Sequence, residues 1–100
     1  MDNAQKFYIN GAWVEPSTTD ILEVINPATE KPIGSIAMGG TADVDAAVAA
    51  AKAAFESFSQ SSVEERIALL DKITELIGAR SEEFASTISS EMGAPGGLAK

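Results

Sequence analysis

Four small groups of residues have the types and spacing that could do chemistry. Gly39-Gly40-Thr41 stands just ahead of an alanine-rich helical pattern. A helix start of that kind can bind phosphate through its free backbone N–H groups. Two things oppose it here. The run is neither GxGxxG nor GxxxxGK[ST], and Asp43 and Asp45 would repel an anion at that terminus. A plain helix start is the stronger reading. The carboxylate pairs Glu64/Glu65 and Glu82/Glu83 could serve as acid and base. Each falls in the first turn of an expected helix, where acids are favoured by the helix dipole. Nothing nearby implies the burial or charge partner that would shift a catalytic pKa. Asp43-x-Asp45 resembles the opening of a calcium loop, but the Gly and Glu that such a loop needs do not follow. Tyr8 and Trp13 suit cross-strand packing better than a ligand platform.

What the chain omits is as informative. It has no cysteine and no histidine. That excludes a thiolate nucleophile, a disulfide frame, a Cys- or His-based metal site and any Ser-His pair within these residues. Seven basic residues face fifteen acidic ones, a net charge of −8. Nucleic-acid backbones and anionic membranes need the opposite sign, so neither is an expected partner. The opening MDNAQKFY lacks the basic and apolar regions of a signal peptide, and no apolar run reaches the roughly 20 residues of a membrane span. A reducing cytoplasm is the expected compartment. One hundred residues allow one domain with a modest core.

The elements that position these groups follow from local pattern. Phe7-Tyr8-Ile9 and Ala12-Trp13-Val14 flank Asn10-Gly11, which suits a type I′ hairpin turn. Residues 15–20 form a polar loop. A strand over 21–25 leads to the turn Asn26-Pro27-Ala28-Thr29-Glu30-Lys31-Pro32, and a further strand over 33–37 is expected to pair with it. Thr41 is the expected N-cap of a helix running to about Phe58, with Val44, Val48, Ala51, Phe55 and Phe58 on one stripe. Small residues on its other sides imply packing on more than one side. Ser62 and Glu65 make a capping box. The helix they open carries Val63, Ile67, Leu70, Ile73 and Ile77, with Leu69 and Leu76 widening the face, and ends near Arg80. Ser81 is expected to cap a third helix with Phe84, Ile88 and Met92 inward, closed by Gly93 as C′ residue and by Pro95.

As an ordered set, these residues resemble the amino-terminal segment of the aldehyde dehydrogenase superfamily. The resemblance is carried by Phe7 to Val14, by Val24-Ile25-Asn26-Pro27-Ala28-Thr29-Glu30, and by Ile33-Gly34-Ser35-Ile36. It continues through Asp43-Val44-Asp45, Ala47-Val48, Ala50-Ala51-Lys52, Ala54-Phe55, Glu65-Arg66 and Leu70. Glu91-Met92-Gly93-Ala94-Pro95 with Leu98-Ala99 closes it. It spans nearly the whole chain, and its last motif looks like bacterial members acting on a range of aldehydes.

The resemblance implies an α/β family fold, within which this segment is α+β: β-hairpins followed by three helices. It implies that residues 1–100 are the amino-terminal part of the cofactor-binding domain. It implies an enzyme that uses NAD or NADP to oxidise an aldehyde to a carboxylic acid through a cysteine thioester, and that assembles as a homodimer or homotetramer. The family's catalytic and cofactor-binding residues lie downstream of its amino-terminal segment. No catalytic, cofactor-binding or metal residue is therefore assigned here, and the segment alone is expected to bind no cofactor. Some members hold a monovalent cation near this region. The corresponding positions are Val24, Ile25 and Glu91, and the resemblance leaves that site open.

Gly93, Pro95, Gly96 and Gly97 stop one element, and Leu98-Ala99-Lys100 looks like the start of another, so the chain reads as a piece of a longer protein. The alternative is a stand-alone interaction module without catalytic activity. Intact mass spectrometry of the native gene product separates the two. A mass several times 10.4 kDa is expected, and a mass near that value would favour the module.

Overall fold

In a computed structural model, residues 3–100 are described, in the order ββββαααα. Contacts divide the chain into two units, Met1–Val24 with Gly34–Gln60, and Ile25–Ile33 with Ser61–Lys100.

The first unit opens with β1 (Phe7–Ile9) and β2 (Ala12–Val14), an antiparallel pair in the register Phe7–Val14, Tyr8–Trp13 and Ile9–Ala12. The turn between them has positive φ at Asn10 (53°) and Gly11 (79°). Two successive left-handed residues are what a type I′ turn requires, and its twist matches that of the strands. Tyr8 and Trp13 meet edge to face with ring centroids 5.3 Å apart, the arrangement that ring quadrupoles favour. The same unit holds α1 (Thr41–Phe58).

Strands β3 (Ile21–Asn26) and β4 (Lys31–Ala37) pair with each other, as expected, in a separate two-stranded sheet. β4 begins two residues earlier than the prolines suggested. Pro32 sits second in the strand, an end position where a missing N–H is tolerated.

The second unit contains the turn after β3. The Asn26 side-chain oxygen accepts the Ala28 N–H at 2.8 Å, and the Glu30 N–H donates to the Asn26 carbonyl at 2.8 Å. Glu30 takes a positive φ of 59°, an uncommon conformation for a residue with a Cβ. After the turn come α2 (Val63–Ala79), α3 (Ser81–Met92) and the short α4 (Gly96–Ala99). The helix expected at Leu98 thus starts two residues sooner. Pro95, its N-cap, cannot lie further inside a helix.

Two helix starts differ from expectation by one residue. Gly40, not Thr41, is the N-cap of α1, and Arg80, not Ser81, is that of α3. Arg80 is also the C-cap of α2. A single residue separates the two helices, which leaves Ser81 no extended position from which to cap. The Ser62–Glu65 box forms as expected: Glu65 N–H donates to Ser62 Oγ at 3.1 Å, and Ser62 N–H to Glu65 Oε2 at 2.7 Å. Arg66 reinforces it by donating to the Ser61 hydroxyl and carbonyl.

Among the described residues only Ala37 and Ala85 are buried hydrophobics. Phe84, Ile88 and Met92, expected to face inward on α3, are exposed, and so are all the large residues on the stripes of α1 and α2. The stripes are present, and their large side chains stay exposed among the described residues.

Gly93 ends α3 in the left-handed region at φ 79°. A Cβ there would stand 3.0 Å from Pro27 Cγ, a ring atom with little freedom to give way. Gly93→Ala is expected to destabilise the helical unit by about 1–3 kcal/mol, from backbone strain together with the contact. Gly97→Ala, with nothing within 4 Å of its new Cβ, should be neutral or slightly stabilising. Urea titration followed by far-UV ellipticity measures both.

Candidate functional site

The Gly39-Gly40 helix start is built by a loop from the other side of its unit. Asp43 sits at the third helical position of α1 and turns its carboxylate back. It accepts the Gly40 N–H at 2.9 Å, the Ser17 N–H at 3.0 and 3.1 Å, and the Ser17 hydroxyl at 2.6 Å. Gly40 has no side chain, so only the returning half of a capping box exists here. The other three contacts to the carboxylate come from Ser17, 26 positions earlier. Thr18 Oγ1 donates to the Met38 carbonyl at 2.8 Å, and the Met38 N–H donates to the Asp20 carbonyl at 2.9 Å. A Cβ on Gly40 would fall 2.9 Å from Thr18 Cγ2 and 3.0 Å from Ser17 Oγ. Glycine is needed at that position because the loop passes so close.

This arrangement decides the phosphate reading. The dipole end of α1 already holds an anion, and that anion is Asp43. Its pKa is lowered, first by the Ser17 hydroxyl bond and then by the Gly40 N–H, with burial opposing. A bound phosphate would meet this charge where it needs donors. The residues present do not fit a cofactor's phosphates.

The other candidates resolve into local structure. Glu65 closes the α2 capping box. Glu83 forms a two-point pair with Arg80, Nη2 to Oε1 at 2.6 Å and Nε to Oε2 at 2.9 Å. Arg80 lowers the Glu83 pKa through that hydrogen bond and then through its charge. The Arg80 guanidinium also lies 5.9 Å from the Phe84 ring centre. Glu82 pairs with Lys100 at 2.9 Å across an open groove of about 280 Å³, lined also by Ser86, Ser89 and Ser90. These carboxylates are exposed and paired, which suits helix starts and not acid-base catalysis. Among the described residues no group of three or more His, Cys, Asp or Glu could hold a metal ion. Glu91, one of the positions left open for a cation, lies exposed in the last turn of α3. None of the described helices is long and apolar enough to cross a membrane.

Sequence reasoning missed Ser17, Thr18 and the Arg80 pairing. A signal for the first two exists, in the Ser-Thr-Thr-Asp run of the polar loop. Hydroxyl residues there satisfy backbone groups, but their partners lie 20 and 26 residues away.

The chain matches the family model described as "Aldehyde dehydrogenase family" over residues 13–100. A relative from Staphylococcus aureus that carries the family's name is 50% identical over 95 residues, which is 95% of this chain and 20% of the relative. The solved structure of aldehyde dehydrogenase C from Pseudomonas syringae, complexed with NAD+ and octanal, superposes with a TM-score of 0.95. It is 49% identical over 98% of this chain and 20% of its own. The aldehyde dehydrogenase of Bartonella henselae superposes with a TM-score of 0.93 at 47% identity, over 95% of this chain and 20% of its own. The chain thus spans about a fifth of the length of the relatives it matches.

The Asp43 clamp has a pH signature. A folded-state pKa below the ordinary carboxylate value means the clamp's contribution is fully present above about pH 4 and is lost as pH falls through the lowered value. Asp43→Asn should therefore weaken the first unit at pH 7, and its deficit relative to the unchanged chain should shrink as pH falls below about 4. Amide exchange at Gly40 and Ser17 across that range reads the effect. A deficit that stays constant with pH would contradict the clamp.

Proposed function

The chain belongs to the aldehyde dehydrogenase family, and from that membership we propose that it is the amino-terminal part of the cofactor-binding domain of an NAD- or NADP-dependent enzyme that oxidises an aldehyde to a carboxylic acid. The observation that carries the reading is the agreement of backbone and sequence together. A segment that keeps nearly half its residues and almost the same backbone as an aldehyde dehydrogenase complexed with NAD+ and octanal serves the same kind of enzyme. The whole protein works in the cytoplasm on a small-molecule aldehyde, as a homodimer or homotetramer.

In this reading the segment supplies scaffold and the chemistry belongs to the rest of the enzyme. The family's nucleophile is a cysteine, and these 100 residues contain none. The most plausible anion site, the start of α1, is filled by Asp43. The three exposed salt bridges described on the helical unit, Lys72–Glu75, Arg80–Glu83 and Lys100–Glu82, carry no proton to a reacting atom. What the segment offers the enzyme is a set of capped helices with apolar faces.

Two measurements test this. The isolated chain, titrated with NAD+ and with NADP+ in a calorimeter, is expected to give no binding heat, and micromolar affinity would contradict the scaffold role. Joined covalently ahead of the remaining four-fifths of the Pseudomonas syringae enzyme, in place of that enzyme's own matching segment, the chain is expected to give aldehyde-dependent reduction of NAD+. A soluble, folded hybrid with no activity would sink the functional reading.

A further inference from the structure

The turn between β1 and β2 carries a reaction of its own. An asparagine can be attacked at its side-chain carbonyl carbon by the backbone nitrogen of the next residue. The two groups are covalently close, which favours the encounter. The chain has three asparagines, and the residue after each one sorts them. Asn26 precedes Pro27, whose nitrogen has no hydrogen to lose, and its side-chain oxygen already accepts the Ala28 N–H at 2.8 Å. Asn3 precedes Ala4, whose methyl group crowds the attacking nitrogen. Asn10 precedes Gly11, which has no Cβ and nothing within 4 Å of where one would stand. Among the described residues, neither the Gly11 N–H nor the Asn10 side chain has a hydrogen-bond partner to give up.

The fold sets when the two groups can meet. Ring closure requires the Gly11 nitrogen to eclipse the Asn10 Cβ about the Cα–C bond. Asn10 is left-handed, with φ 53°. The ψ of about +47° typical of that region turns the nitrogen roughly 170° away from Cβ. The closed turn therefore holds the reacting groups apart, and only an opened hairpin reacts. Three residue pairs and the Tyr8–Trp13 edge contact keep it closed. A two-stranded hairpin is marginally stable in water, so opening recurs. All of these determinants lie within residues 7–14, and none depends on what lies against the helices.

We propose that Asn10-Gly11 is a self-modification site gated by opening of the hairpin, with water as its only co-reactant. The Gly11 nitrogen forms a bond to Asn10 Cγ, the side-chain amide leaves as ammonia with the Gly11 amide proton, and a cyclic imide results. Water then opens the imide at one of its two carbonyls. Opening at the Cγ carbonyl gives aspartate; opening at the main-chain carbonyl gives isoaspartate, whose backbone runs through Cγ. Either product adds one negative charge, and nothing is oxidised or reduced. Isoaspartate lengthens the main chain inside a turn whose length fixes the strand register, so Tyr8 and Trp13 no longer face each other. β1 also lies against the approach to α1, since a Cβ on Gly39 would stand 3.4 Å from Phe7 Cζ. The modification thus locks the hairpin open and loosens β1 from that helix start.

The test incubates the 100-residue chain at neutral pH in heavy-oxygen water. Peptide mapping by mass spectrometry, with electron-transfer fragmentation, separates aspartate from isoaspartate. Labelled aspartate and isoaspartate are expected at position 10, ahead of any change at Asn3 or Asn26. Trp13→Ala removes the edge contact and should speed the reaction about two- to tenfold, and unfolding in urea should speed it at least as much. Gly11→Ala should slow it, although alanine resists a positive φ and favours the open hairpin; a purely conformational effect would have the opposite sign. The proposal is overturned if position 10 yields no isoaspartate or reacts after Asn3. It is equally overturned if Trp13→Ala and urea leave the rate unchanged, or if Gly11→Ala reacts faster than the unchanged chain.

Discussion

Apolar side chains need something to pack against, and among the described residues that requirement is met only in small part. Three amphipathic helices carry a full set of large hydrophobic residues, yet the described residues bury only two alanines, Ala37 and Ala85. Burying a leucine or isoleucine contributes roughly 1.5–3 kcal/mol. Leaving more than twenty large apolar residues exposed forfeits the term that normally offsets chain entropy. The rest of the structure depends on this shortage. Local order has to come from devices that need no core.

Those local devices are numerous and mutually consistent. Asn10-Gly11 sets the first hairpin through two left-handed residues, and Asn26 organises the second turn by accepting the Ala28 N–H. Asp43, Glu65 and Arg66 tie down helix starts with charge-assisted hydrogen bonds, stronger than neutral ones. Gly93 ends α3 against Pro27. Each of these restricts backbone geometry within a few residues or across one close contact. Together they shape helices whose apolar sides stay exposed.

The same devices set the state of the two acids with shifted pKa values. Catalytic carboxylates need burial or a fixed charge to move their pKa toward neutrality. The acids weighed for catalysis lie at helix starts, and the two with shifted pKa values, Asp43 and Glu83, are moved downward by hydrogen bonds that favour the ionised form. A carboxylate held ionised at neutral pH suits a structural clamp and is a poor general acid.

Much of the fold was legible in the residues. Hairpin turns, helix spans, the Ser62–Glu65 box and the Gly93 stop all follow from short-range rules, because their determinants lie within four residues of one another. The family was legible too, through ordered motifs from Phe7 to Ala99. Tertiary structure alone decided three things. It placed Ser17 on the Asp43 carboxylate, a contact across 26 residues, which moved the α1 cap from Thr41 to Gly40 and closed that helix start to anions. It abutted α2 and α3 at Arg80, which displaced the expected Ser81 cap. It also showed that Phe84, Ile88 and Met92 face no interior. A periodic stripe states only that a face is apolar. Whether anything lies against it depends on surfaces distant in sequence or on another polypeptide, and no local pattern encodes that.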